Sequence, residues 1–122
     1  MCGFVGNVNF NSNRNYVQIT KKILKKIKHR GPDDSRVLKV DNYTFGFNRL
    51  SIVATNSKYA NQPLRIGQHI LIFNGEIYNY NDLTNLVSIH IKDKSNFGDT
   101  EVLFHLIKKY GIDYALKKIK GM

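Results

Sequence analysis

Between Tyr16 and Pro32 the chain carries an apolar stripe of helical period that stops at a pair of residues through which helices rarely continue. Tyr16, Ile19, Ile23 and Ile27 recur at steps of three and four, Val17 and Leu24 widen the stripe, and lysines fill the other face until Gly31-Pro32. The flanking segments have a different period. Phe4, Val5, Val8 and Phe10 make residues 2–10 a short apolar strand with glycines close by. Val37, Leu38 and Val40 lead through the turn Asp41-Asn42 into the alternation Tyr43, Phe45, Phe47, and Arg49 to Val53 extends this region. A period of two predicts that the aromatic face of this last strand is the buried one.

Further along, Ala54 to Gln68 is polar, holds Pro63 and Gly67, and reads as a loop. His69-Ile70-Leu71-Ile72-Phe73 then supplies a strongly apolar strand ending at Asn74-Gly75. A short helix is expected around Asn81 to Leu86, a strand around Ser88 to Lys92, and a helix opening near Asp99, which is placed to cap it. Val102, Leu103, Leu106, Ile107 and Tyr110 give that helix one apolar face and Gly111 breaks it. A final amphipathic segment with Ile112, Ala115, Leu116 and Ile119 runs to Met122. No internal repeat or linker interrupts the pattern.

Composition enters as a limit on function. A length of 122 residues with 42% hydrophobic content suits one domain with a genuine core. The net charge of +10 raises nucleic acid as a partner. Its distribution argues against that. The lysines cluster as Lys21, Lys22, Lys25, Lys26 and Lys28, then Lys108, Lys109, Lys117, Lys118 and Lys120, interleaved with apolar residues as on a solvated helix face, and no nucleic-acid-binding module accompanies them. The N-terminus has no signal-peptide pattern, and no stretch approaches the roughly 18 to 20 apolar residues of a membrane span, so a soluble, cytoplasmic protein is expected. His29, His69, His90 and His105 lack metal-ligand spacing.

The chain has a single cysteine, Cys2, which is either an incidental small side chain or a reactive thiol. Its position gives the second reading a mechanism. A small second residue permits removal of Met1, which would leave a thiol and a free α-amine on one residue. Amines and thiols of these kinds titrate within about one unit of each other, so the amine can serve as base without a histidine or aspartate partner. Other residues are ambiguous by themselves. Asp99 reads as a helix cap, Glu76 as a solvated loop residue and Asn74-Gly75 as a hairpin turn.

Five segments taken together change the weighting: Met1-Cys2-Gly3-Phe4-Val5-Gly6, His29-Arg30-Gly31-Pro32-Asp33, Arg49-Leu50-Ser51-Ile52 with Asn61-Gln62-Pro63-Leu64, Phe73-Asn74-Gly75-Glu76-Ile77-Tyr78-Asn79, and Asp99-Thr100-Glu101-Val102. In order and spacing they resemble the class II glutamine amidotransferases, and more narrowly the glutaminase domain of glutamine-dependent asparagine synthetases. The resemblance runs from Cys2 to the last residue.

It implies an α+β fold of the N-terminal-nucleophile hydrolase type, an αββα sandwich of stacked antiparallel sheets, here C-terminally incomplete and without the synthetase domain. It implies L-glutamine as substrate, Cys2 as nucleophile, and Asn74 with the Gly75 N–H as oxyanion donors. Arg49 would grip the α-carboxylate, Glu76 and Asp99 the α-ammonium, with Leu50 and Ile52 beside them. No cofactor is implied for glutamine hydrolysis; ATP and magnesium belong to the absent synthetase domain, which, as a domain or subunit, would receive the ammonia. A truncated, non-catalytic remnant that binds glutamine or a partner is the alternative. Arg30 and Asp33 read as braces of the site. Two positions depart from the family pattern: Phe47 stands where a histidine is usual, and Asn48 where a larger or hydroxyl residue is common.

Overall fold

The computed structural model describes residues 1–10, 14–52, 60–87 and 98–122. Its N-terminal part is a three-stranded antiparallel sheet backed by one helix. Strand β1 (Gly3–Val8) and strand β2 (Asp34–Val40) flank the central β3 (Tyr43–Arg49), and helix α1 (Tyr16–Lys26) lies on one face. Asn15 caps α1 by accepting Gln18 N–H at 3.1 Å, and a 3-10 turn, Lys28–Arg30, ends the helical run before Pro32. The hairpin joining β2 to β3 turns at Asp41-Asn42 as expected, with Val40 opposite Tyr43 and Asp41 at φ 50°. The lysines of α1 are exposed.

The face of β3 that is buried against α1 is not the aromatic one. Thr44, Gly46 and Asn48 point at the helix, and a Cβ on Gly46 would lie 2.5 Å from Thr20 Cγ2 and 2.9 Å from Leu24 Cδ1. The absence of a side chain there is what lets α1 approach the sheet. Asn7 Nδ2 donates to Thr20 Oγ1 at 2.8 Å and fastens β1 to the same helix. The register puts Phe4 beside Phe47 and Val8 beside Tyr43 on the opposite face, where Phe4 and Tyr43 remain about half exposed (53% and 48%) and only Phe47 is fully buried.

The C-terminal part has its own core. Strands β4 (Leu64–Ile66) and β5 (His69–Leu71) form a hairpin through Gly67 at φ 65°, so the expected loop ends at Pro63 and the apolar strand is shorter than its run of side chains. Helix α2 (Tyr80–Val87) packs on α3 (Asp99–Tyr110), and α4 (Ile112–Lys118) packs on α3 in turn. Ile77, Leu83, Val87, Val102, Leu103, Leu106 and Ala115 form the buried cluster. Gly111, at φ 86°, separates α3 from α4 as expected.

Several details differ from the reading by period. Gly98, not Asp99, is the N-cap of α3; Asp99 is the first helical residue. Ile112 and Leu116 are exposed, so α4 buries Ala115 and half-buries Tyr114 and Ile119 instead. The last residues leave the helix, and Gly121 forms an antiparallel bridge with Ile77. The strand expected at Ser88 to Lys92, the residues Val53 and His90, and most of the loop from Ala54 lie outside the described residues.

Candidate active site

The alternation of β3 decides which side chains meet. Asn48 turns to α1, where its Nδ2 donates to Leu24 O and its Oδ1 accepts the Ser35 hydroxyl, both at 2.8 Å. Phe47 and Arg49, one residue either side, therefore project from the opposite face. Continuing the alternation of β1 by one residue puts Cys2 on that face too. Facing them are Phe73 to Glu76 and the first turn of α3. The space between is a pocket of about 120 Å³ lined by Cys2, Arg49, Leu50, Ile52, Asn74, Gly75, Glu76 and Asp99, which are all the site residues singled out from sequence. Phe47 lines it as well, whereas Asn48 belongs to the helix contact.

Cys2 is held by its neighbours on both sides. Its Sγ accepts Leu50 N–H at 3.3 Å and sits 3.8 Å from Leu50 O, to which the thiol can donate. Arg30 Nε donates to Cys2 O at 3.1 Å. Asp33 N–H donates to Arg49 O at 3.0 Å and Asp33 Oδ2 accepts Ser51 N–H at 2.6 Å. The His29–Asp33 segment thus braces Cys2 and the Arg49–Ser51 backbone together, and Gly31 fits under Asn48 O where any Cβ would overlap it.

The polar walls are set by residues the sequence reading left without roles. Arg49, 6% exposed, donates from Nη1 to Asn61 Oδ1 at 2.8 Å. Gln62 is buried and bridges two walls: Oε1 accepts Phe73 N–H at 2.6 Å, and Nε2 donates to Thr100 Oγ1 at 3.3 Å. Asp99 Oδ2 accepts Ile77 N–H at 3.1 Å and Oδ1 accepts Thr100 N–H at 2.7 Å, so this carboxylate ties α3 to the Asn74–Ile77 loop. Asn61, Gln62 and Thr100 sit within segments that carried the resemblance, and a buried amide between two polar segments was the signal available for Gln62.

Asn74-Gly75 is not the tip of a hairpin. Gly75 has no unusual φ; its reason is space, because a Cβ would overlap Met122 O and lie 2.6 Å from the Phe73 ring. A guanidinium on one wall and the carboxylates of Glu76 and Asp99 on the other are complementary to a zwitterionic amino acid, with the Cys2 thiol at one side of the same pocket. Just beyond it, burial pushes the Glu101 carboxyl above its usual range, and Glu101 Oε2 is the one buried side-chain oxygen or nitrogen without a hydrogen-bond partner among the described residues. Burial, then the charge of Lys108, holds His105 below its usual value. The two groups approach at 4.0 Å, too far for the attraction to outweigh desolvation. Among the described residues no group of three or more His, Cys, Asp or Glu could hold a metal ion.

The family profile described as "Glutamine amidotransferase domain" matches residues 1–122, and the chain belongs to that family. Within it, the chain is 35% identical over 127 residues to glutamine-hydrolyzing asparagine synthetase 1 of Bacillus subtilis, covering all of this chain and 20% of that protein. The human glutamine-hydrolyzing asparagine synthetase is 35% identical over 103 residues, 80% of this chain and 18% of the relative. A putative glutamine-hydrolyzing asparagine synthetase of Methanocaldococcus jannaschii is 32% identical over 141 residues, all of this chain and 26% of the relative. The chain thus spans about a fifth to a quarter of the length of these relatives.

Proposed function

We propose that this domain hydrolyses L-glutamine to glutamate and ammonia, and that the ammonia serves asparagine synthesis on a synthetase domain or subunit. The observation that carries the reading is the single pocket joining Cys2 to Arg49, Asn74-Gly75, Glu76 and Asp99. With Met1 removed, the Cys2 α-amine takes the thiol proton and Sγ attacks the side-chain carboxamide carbon. The Asn74 amide and Gly75 N–H receive the negative charge that develops on oxygen. The C–N bond breaks, ammonia leaves with a proton returned by the amine, and water cleaves the thioester to release glutamate and restore the thiol. Arg49 holds the substrate carboxylate in two parallel bonds while Asp99 and Glu76 hold its ammonium.

The same reading assigns the chain to an N-terminal-nucleophile sandwich. Phe4, Leu38, Phe45, Phe47, Tyr43 and Val8 give the sheet face opposite α1 the composition of a layer that packs on a second sheet. No helix among the described residues is long and apolar enough to cross a membrane, and a working free thiol fits the reducing cytoplasm. Glutamine hydrolysis by these side chains calls for no cofactor; ATP and magnesium would serve the synthetase.

The test is release of glutamate and ammonia from glutamine, with the intact mass measured in parallel. Loss of Met1 and a turnover abolished by Cys2→Ala, with glutamine affinity kept within about threefold, is the expected result. Hydrolysis by protein that retains Met1 would refute the mechanism, because the Cys2 nitrogen would then be an amide. Glutamine binding without turnover would favour a non-catalytic binder.

A further inference from the structure

Residues 118–122 back onto the loop that carries the candidate oxyanion donors. Tyr78 N–H donates to Lys120 O at 2.8 Å, Glu76 N–H to Met122 O at 2.9 Å, and Met122 N–H to Glu76 O at 3.1 Å. The Asn79 side chain adds two rungs, its Oδ1 accepting Lys120 N–H at 2.8 Å and its Nδ2 donating to Lys118 O at 3.0 Å. On its other side the loop is held by Asp99 at Ile77 N–H and by Gln62 at Phe73 N–H. The direction of the backbone from Asn74 to Ile77 is thus set from two sides by groups that do not themselves meet substrate carbonyl.

The rear contact has no slack. A Cβ on Gly121 would overlap Glu76 O and lie 3.1 Å from Ile77 Cα, and these obstacles are backbone atoms that cannot swing aside. One residue on, Met122 O abuts Gly75 so closely that Gly75 has no room for a Cβ either. Two glycines therefore face the same pair of backbone segments, and any shift of residues 121–122 is transmitted to Gly75.

We propose that Gly121 is a positioning residue for the amidase reaction: its bare backbone lets the Lys120–Met122 segment fix the aim of the Gly75 N–H and Asn74 amide on the tetrahedral oxyanion. This rests on the glutaminase reading above. Arg49 and Asp99 reach the pocket from β3 and α3, so the substrate's carboxylate and one of the two carboxylates assigned to its ammonium are held independently of this contact, while Glu76 lies within it. Disturbing Gly121 should then weaken the transition state more than the bound substrate.

The experiment compares the whole, Met1-processed chain with its Gly121→Ala variant. Losing the aim of an oxyanion donor costs up to about 100-fold, so kcat should fall by about 10- to 100-fold while the glutamine KM, still set by Arg49 and Asp99, rises by about fivefold at most. Alkylation of Cys2 by iodoacetamide, a displacement at carbon that forms no oxyanion, should keep its wild-type rate. If the variant loses its fold, seen as altered alkylation, Asn79→Ala decides, because it removes two rungs without adding an atom. It should lower kcat several-fold with KM and alkylation unchanged. Wild-type kcat in a folded Gly121→Ala, or in Asn79→Ala if the former does not fold, overturns the proposal while leaving the glutaminase reading intact. A wild type that releases no ammonia refutes that reading, and this proposal with it.

Discussion

Replacing Gln62 by leucine tests whether the pocket is the seam that holds the domain together. Gln62 is 5% exposed, and its amide is the acceptor for Phe73 N–H and a donor to Thr100. Leucine fills nearly the same space but offers neither group. Thr100 keeps its bond to Asp99, so the main loss is an orphaned Phe73 N–H, which costs about 1 to 3 kcal/mol. Against a net stability of about 5 to 15 kcal/mol this is a large fraction. For a domain of this size about 1 kcal/mol moves the midpoint by roughly 4 °C, so thermal unfolding should fall by about 4 to 12 °C. Exchange of the Phe73 amide should quicken, and kcat/KM should drop by about tenfold or more as Asn74 loses its anchor. The control is the exposed Gln68→Leu, which should stay within about 0.5 kcal/mol of wild type. An unchanged midpoint and an unchanged Phe73 exchange rate in Gln62→Leu would refute the bridge.

Two further changes probe charge. Arg49→Lys keeps the cation but not the planar fork, so glutamine affinity, measured by calorimetry on the Cys2→Ala background, should weaken by about tenfold or more; equal affinity would mean the carboxylate binds elsewhere. Glu101→Gln tests the buried carboxyl. Its folded pKa is raised above the ordinary 4.5, so the folded state holds the proton longer, and stability present below pH 4.5 is lost as pH rises through the raised value. The variant should therefore match wild type at pH 4 and melt higher at pH 7, and an equal or lower midpoint at pH 7 would show that Glu101 is paired. The lowered His105 runs the other way, adding stability as pH climbs toward 6.5, so its contribution is complete at pH 7 and leaves that comparison clean.

Period and punctuation made most elements legible because their causes are local. The α1 stripe, the Asp41-Asn42 hairpin and the Gly111 break each depend on residues within a few positions of one another. What failed needed information from across the chain. Tyr43, Phe45 and Phe47 look like a core face, and Phe47 is buried while Tyr43 stays half exposed, because α1 packs on the other side, where Gly46 leaves room for it. Ile112 and Leu116 look buried, but α4 meets α3 on the side of Ala115. Capping misled for a related reason. Asp99 has the right chemistry for an N-cap, but its carboxylate is drawn to Ile77 N–H, a partner 22 residues away, and Gly98 takes the cap position.

The site shows the same division between local and distant causes. Its eight expected residues all reach one pocket, and each lies in one of the five segments that carried the resemblance. The residues that hold them, Gln62, Asn61 and the 120–122 backbone, are chemically ordinary and acquire meaning only from what they touch. Cys2, Phe47 and Arg49 come from the N-terminal sheet, while Asn74, Gly75, Glu76 and Asp99 come from the part whose core is built on α2, α3 and α4. Neither part alone contains both the proposed nucleophile, Cys2, and the proposed oxyanion donors, Asn74 and Gly75. The pocket therefore depends on the contact that crosses between them, Arg49 to Asn61, and on the next residue, Gln62, which ties that contact to Phe73 and Thr100. Catalytic geometry tolerates displacements of well under an ångström, whereas packing tolerates more, so mutations in these bridges should lose turnover before they lose the fold.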